Sequence, residues 1–333
     1  MNTQERFTTP VEELQSALSD DMNAVNHLIR ERMASENAPR IPEVTAHLVE
    51  AGGKRVRPLL TLAAARHFGY EGEDHIKLAA AVEFIHTATL LHDDVVDAST
   101  KRRGRPTANL LWDNKSSVLV GDYLFARSFK LMVESGSLRV LDILSTAAAV
   151  IAEGEVLQLI AEADLATTEE TYLKVIRGKT AALFSAATEA GAVVADASEP
   201  EILAFQEYGD ALGISFQITD DLLDYGGVTA RLGKNTGDDF RERKMSMPLI
   251  RAVAAADEPE RAFWERVITR GDQNDGDLEQ ALDLMGRHGA LESTRETALG
   301  YAARAQDALS RLPEGPLRSQ LHALADFVVE RIT

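Results

Sequence analysis

Between Pro106 and Pro200 the chain contains no proline, and two parts of that interval, Ser145 to Glu155 and Thr180 to Ala192, are rich in alanine. Alanine loses least on joining a helix and proline breaks one, so this interval has little choice but to be helical. Upstream, Val11, Leu14, Leu18, Met22, Val25, Leu28 and Ile29 recur at mixed spacings of three and four. That pattern predicts an amphipathic helix from about Pro10 to Met33. Pro39 and Pro42 end it, and a second helix is expected from about Pro42 to Ala51, stopped at Gly52-Gly53. No window alternates as a half-buried strand does. The glycine-rich stretch Tyr225 to Gly237 is the clearest loop. The fold class that follows is all-α, and because no linker interrupts the pattern, residues 1–333 are expected to form a single domain.

Two apolar helical runs carry charge where burial is expected. Asp93, Asp94 and Asp97 lie in LHDDVVD, and Asp220, Asp221 and Asp224 repeat the same D-D-x-x-D spacing in QITDDLLD. Residues three and four apart share a helix face, so each cluster crowds like charges at a cost of a few tenths of a kcal/mol per pair. The apolar flanks argue against two merely solvated helix faces, and two such clusters facing each other would make a metal-binding cleft. His86 lies seven residues before Asp93 and Gln217 seven before Asp224, so each joins its aspartate face two turns away. Hard oxygen donors of this kind suit Mg²⁺, which binds one or two carboxylates and completes its octahedron with water and phosphate oxygens.

The charge balance agrees. Asp plus Glu number 53 against 35 Lys plus Arg, for a net charge of −18, which disfavours nucleic acid and anionic membrane surfaces as partners of the whole chain. Yet basic residues gather at Lys54, Arg55 and Arg57, at Lys101, Arg102, Arg103 and Arg105, at Lys234, and at Arg241, Arg243 and Lys244. Carboxylate-held Mg²⁺ beside Arg and Lys is a way to bind and ionise a diphosphate. There are no cysteines, so disulfides and thiolate metal sites are excluded. The start, Met1 to Arg6, lacks the apolar core of a signal peptide, and no later stretch is read as a membrane span. A cytoplasmic protein without a transmembrane segment is expected.

In chain order, GGKRVRP (Gly52 to Pro58), EFIHTATLLHDDVVD (Glu83 to Asp97), KRRG (Lys101 to Gly104), GKT (Gly178 to Thr180), QITDDLLDY (Gln217 to Tyr225) and GKNTGDD (Gly233 to Asp239) resemble the trans-isoprenyl diphosphate synthases, the polyprenyl synthetase family. The resemblance runs over most of the chain. It implies a helical bundle of the isoprenoid synthase type around a central catalytic cavity. It further implies that Asp93 and Asp97 hold two Mg²⁺, and Asp220 with Asp224 a third, on the diphosphate of an allylic substrate such as farnesyl or geranylgeranyl diphosphate. Asp94 and Asp221 would support them. Arg102, Lys179, Lys234 and Lys244 would grip that diphosphate, while Lys54, Arg57, His86 and Arg103 would bind isopentenyl diphosphate. Thr180 and Gln217 would face the allylic cation. One departure falls at Arg243, where many relatives carry glycine before the lysine.

Within this family reading, product length is partly legible. If the growing chain runs down the helix that carries Asp93, then Ala88, five residues earlier, lies about 7 Å below it. Ala88 and Thr89 are small, so the floor must lie deeper, with Tyr123, Leu124, Phe125 and Phe129 as candidates. The first-motif string is most similar to bacterial octaprenyl, solanesyl and decaprenyl diphosphate synthases, whose products become ubiquinone side chains. A decaprenyl or similarly long product is therefore expected, against a short farnesyl or geranylgeranyl product. A terpene cyclase would not need GGKRVRP and the second aspartate motif, and a non-catalytic subunit of a heteromeric synthase would have lost aspartates or basic ligands. The family implies a homodimer.

Overall fold

The computed structural model describes residues 8–35, 37–50, 53–102, 104–226 and 237–332, with backbone alone at 49 and 50. The chain opens with α1 (Pro10–Ala17), where Thr9 and Glu12 form a reciprocal capping box and Pro10 takes a first-turn position that needs no amide hydrogen. The helix expected to continue to Met33 is instead two helices. Leu18, at φ −113° and ψ 24°, ends α1, and α2 (Ser19–Met33) restarts with Asp20 and Asp21 in its first turn, where the helix dipole favours acids. The spacing of apolar residues hid this break because Leu18 and Met22 stay buried across it. α3 (Arg40–Glu50) matches the second expected helix, with Pro42 near its start. Its expected stop at Gly52, the body of the Tyr225 to Gly237 loop, and the site residues Arg103 and Lys234 lie outside the described residues.

Next come α4 (Val56–His67) and α5 (Asp74–Val96). A two-stranded antiparallel hairpin follows, β1 (Lys101–Arg102) and β2 (Arg105–Pro106), too short to have left any alternation in the sequence. α6 (Ala108–Leu111) leads to α7 (Asn114–Glu134), capped by Asp113 accepting from the Ser116 amide, and then to α8 (Leu138–Ala161). α9 (Glu169–Ile176) passes through a π turn at Arg177–Ala181 into α10 (Ala182–Val194), and α11 (Glu199–Tyr225) follows. The remainder is α12 (Asp238–Arg241), α13 (Met247–Ala255), α14 (Glu258–Trp264) with a second π turn at Glu265–Thr269, α15 (Asp277–Arg287), α16 (Ala290–Ser310) and α17 (Pro316–Glu330). The fold is all-α, as the sequence predicts.

The helices divide into two compact units. The first comprises Met1–Ala148, Leu183–Gln206 and Arg311–Ala323. Its core is built on α4 and α5, whose Leu59, Leu62, Leu78, Phe84 and Ile85 are fully buried together with Phe184 and Phe205. α10 approaches α4 so closely that a Cβ at Gly191 would lie 2.3 Å from the Thr61 carbonyl oxygen. Arg66 forks onto Asp21 at 2.7 and 2.6 Å, and this bonding holds the Asp21 carboxyl below its usual range. The second unit comprises Ala149–Ala182, Glu207–Ser310 and Leu324–Thr333. Trp264, Val267, Ile268, Met285 and Leu309 fill its centre, and Ser215 donates to the Ala298 carbonyl at 2.9 Å.

Among the described residues α8, at 24 residues, is long and apolar enough to cross a membrane by length and composition, whereas no stretch was read that way from sequence. A helix of this kind is weak evidence of spanning. Glu153 and Glu155 lie within it, and carboxylates at membrane depth are costly. Only 28% of its most apolar window is buried, so α8 exposes an apolar face.

Candidate active site

In the first unit, Asp93 and Asp94 fall in the last turn of α5 and Asp97 is its C-cap, its amide bonded to the Asp93 carbonyl at 2.8 Å. Carboxylates at a helix C-terminus oppose the dipole as well as one another. Only a cationic partner makes such a cluster favourable. Asp94 is completely buried and accepts from Arg102 Nε at 2.8 Å through Oδ1, while its Oδ2 has no hydrogen-bond partner among the described residues. Burial pushes the Asp94 carboxyl above its usual range, with Arg102 opposing. The hairpin of β1 and β2 thus carries Arg102 back to the first aspartate motif.

Arg55 is the N-cap of α4, and Val56, Arg57 and Pro58 open its first turn. Lys and Arg at a helix N-terminus gain nothing from the dipole, so helix capping does not explain this basic cluster. Arg57 Nη1 lies 3.3 Å from His86 Nε2, and its guanidinium stacks 4.5 Å above the Phe184 ring. Lys54 is exposed, and its carbonyl accepts from Gln15 Nε2 at 3.0 Å. The structure therefore brings Arg57 and His86 together, two residues that the resemblance assigns to one diphosphate. Ala88 is fully buried, and Thr89 turns its hydroxyl onto the His86 carbonyl at 2.8 Å. On α7, Leu124 is buried and the Phe125 and Phe129 rings pack 5.8 Å apart, whereas Tyr123 donates its hydroxyl to the Ala34 carbonyl at 3.2 Å.

In the second unit a chain of hydrogen bonds runs from the π turn to the second aspartate motif. Thr180 Oγ1 donates to Gln217 Oε1 at 2.8 Å, Gln217 Nε2 donates to Asp221 Oδ1 at 2.7 Å, and the Tyr172 hydroxyl donates to Asp221 Oδ2 at 2.7 Å. Burial raises the pKa of Asp221 to about 6, against the two hydrogen bonds that lower it. Lys179 pairs with Glu155 at 2.9 Å. These groups line a cavity of about 120 Å³ that Tyr172, Lys179, Thr180, Gln217, Asp221 and Lys244 share. Asp220 is paired with Arg331 at 3.0 Å, and Asp224 accepts from the Asp238 and Asp239 amides at 3.2 and 2.9 Å.

Lys244 pairs with Glu242 at 2.5 Å. Arg243, just before it, has φ 59°, the left-handed region in which a residue with a Cβ is disfavoured. This is the physical reason that glycine suits the position and that arginine is a departure. Arg243→Gly is expected to raise stability by about 0.5–1 kcal/mol, read as a higher thermal midpoint.

Sequence reasoning missed Glu155, Tyr172 and Arg331 as members of the site. Glu83, which pairs with Arg55, was quoted in a motif without being given a role.

Among the described residues no three acidic or histidine side chains already converge as a metal cage. Mg²⁺ does not require one, since it keeps waters and takes one or two carboxylates. The donor set fits a hard dication. Among the described residues Asp94 leaves a buried carboxylate oxygen without a hydrogen bond, and Asp239, raised first by burial, is raised further by the charges of Asp221 and Asp224.

Comparison with known proteins identifies the family. The model of the polyprenyl synthetase family matches residues 38–285. The crystal structure of a decaprenyl diphosphate synthase from Rhodobacter capsulatus is 69% identical, with a TM-score of 0.95 and coverage of 97% of this chain and 99% of that one. A polyprenyl synthase from Caulobacter crescentus CB15, solved with calcium and isoprenyl diphosphate, is 51% identical, with a TM-score of 0.92 and coverage of 97% and 98%. The octaprenyl diphosphate synthase of Escherichia coli (strain K12) is 45% identical over 323 residues, 96% of this chain and 99% of its own length. The chain belongs to the polyprenyl synthetase family. It is a prenyltransferase with the all-α isoprenoid synthase fold.

Proposed function

We propose that the chain is a long-chain all-trans-polyprenyl diphosphate synthase, making products of about eight to ten isoprene units with decaprenyl diphosphate as the main one, destined for the ubiquinone side chain. The observation that carries this reading is the 69% identity to a decaprenyl diphosphate synthase over 97% of the chain. The small side chains of Ala88 and Thr89 below the first aspartate motif support a long product. The complete set of aspartate and basic motifs favours a catalytic chain working as one polyprenyl synthase domain over residues 1–333.

In this reading Asp93 and Asp97 hold two Mg²⁺ and Asp220 with Asp224 a third. When bound, the metal ions neutralise charge that develops on the leaving diphosphate. Arg102, Lys179, Lys234 and Lys244 grip the allylic diphosphate, and Lys54, Arg57, His86 and Arg103 grip that of isopentenyl diphosphate. Asp94 fixes Arg102 through its Nε and leaves the rest of the guanidinium for substrate oxygens. Thr180 spends its hydroxyl proton on Gln217, so oxygen lone pairs of both residues remain to face an allylic cation. Asp221, held by Tyr172, fixes the Gln217 amide in that orientation. The double bond of isopentenyl diphosphate attacks the cation, and the proton lost passes to the released pyrophosphate, so no side chain serves as general base.

A homodimer belongs to the same reading. Its support is the row of exposed apolar side chains on α6 and α7, Leu110, Leu111, Val118, Leu119 and Val133, which a second copy would cover.

The purified protein, incubated with labelled isopentenyl diphosphate, farnesyl diphosphate and Mg²⁺, is expected to give a ladder ending at about eight to ten isoprene units. Products ending at three or four units would overturn the long-chain reading, and no elongation would overturn the catalytic one.

A further inference from the structure

We infer that the buried ion pair of Arg55 with Glu83 is the positioning element of the isopentenyl diphosphate site, fixing the Lys54 to Arg57 turn against the face of α5 that carries His86. The inference rests on the reading that Lys54, Arg57 and His86 hold that diphosphate.

Nothing local favours arginine at position 55. Its backbone sits at φ 50° and ψ 36°, left-handed and disfavoured for a residue with a Cβ, and it caps the N-terminus of α4, where the dipole repels a cation. Its side chain is nevertheless only 13% exposed and that of Glu83 only 8%. Two charges withdrawn from water this far are tolerable only as partners, so each fixes the other. The reason for the arrangement lies in what the pair holds still.

Glu83 and His86 are three residues apart on α5 and share a face, while Arg55 and Arg57 are two apart at the start of α4. Arg55 to Glu83 and Arg57 to His86 are therefore two rungs between the same pair of segments. A third tether, from Gln15 Nε2 to the Lys54 carbonyl at 3.0 Å, holds the turn from α1. With its charge spent on Glu83, Arg55 is a fixed point inside the basic cluster, between Lys54 and Arg57. Arg55 and Glu83 are positioning residues rather than catalytic ones.

The test compares Glu83→Gln, Arg55→Gln and Arg55→Lys with Arg57→Ala as the reference, measuring KM for isopentenyl diphosphate, KM for farnesyl diphosphate, kcat and the thermal midpoint. Glu83→Gln and Arg55→Gln are expected to raise KM for isopentenyl diphosphate at least tenfold while KM for farnesyl diphosphate and kcat stay within threefold. Arg55→Lys, which keeps the charge, is expected to recover most of that loss. If Arg57→Ala raises KM for isopentenyl diphosphate but the Arg55 and Glu83 variants do not, the positioning role is overturned and the substrate assignment stands. If Arg57→Ala has no such effect, the substrate assignment fails and takes the positioning role with it. A parallel fall of both KM-based efficiencies, kcat and thermal midpoint would identify the pair as general support for the fold and overturn the inference.

Discussion

Asp93→Ala is expected to lower kcat by roughly 10³-fold or more, with the thermal midpoint of the protein almost unchanged. Asp93 stands in the last turn of α5, against the dipole and beside two further carboxylates, so its removal relieves repulsion within the helix end. The stability change should stay within about 0.5 kcal/mol. Asp94→Ala makes the informative contrast. That carboxylate is fully buried while Arg102 is 29% exposed, so losing the carboxylate and its hydrogen bond costs about 1–3 kcal/mol. Steady-state kinetics with thermal unfolding on the two variants separates a chemical role from a supporting one in adjacent residues. Equal effects of both variants on both readouts would sink this division of labour.

Gly178→Ala is expected to lower activity by about 100-fold and stability by roughly 1–3 kcal/mol. A Cβ at Gly178 would lie 2.9 Å from Gly154 Cα and 3.0 Å from the Val150 carbonyl oxygen, and one at Gly154 would lie 2.7 Å from the Lys179 amide nitrogen. All of these neighbours are backbone, so no side chain can swing aside. The π turn itself must move, and it carries Lys179 and Thr180. Its displacement would break the 2.8 Å contact of Thr180 with Gln217, through which the amide is oriented. Turnover and unfolding measured on Gly178→Ala, with Gly154→Ala as a second probe of the same contact, check this. Full activity in either variant would show that the contact does not set the geometry of the site.

Much of the site was legible because helical spacing makes neighbours of residues three, four and seven apart. The aspartates of each motif, His86 on the face of Asp93 and Gln217 on that of Asp224, follow from that rule. What escaped depends on contacts between distant parts of the chain. Tyr172 reaches Asp221 across 49 residues and Arg331 reaches Asp220 across 111, and no local pattern announces either. The fold class was equally legible from proline spacing and alanine content, yet the break at Leu18 was not. Apolar periodicity records which side of a helix is buried, and that side is the same before and after the break. The apolar length of α8 was underestimated because Arg139 and Asp142 near one end, and Glu153 and Glu155 near the other, interrupt its composition.

The π turn at Arg177–Ala181 has a consequence for chain length. Tyr172 and Thr180 are eight residues apart, and in an uninterrupted α-helix they would point about 80° away from each other. The turn absorbs one extra residue, and both side chains reach the Gln217 and Asp221 pair. A chain one codon shorter between Ile176 and Thr180 would bring the threonine into the same register with an ordinary α-helix. Loss of one residue at the exposed Arg177 would therefore leave the tyrosine and the threonine in step.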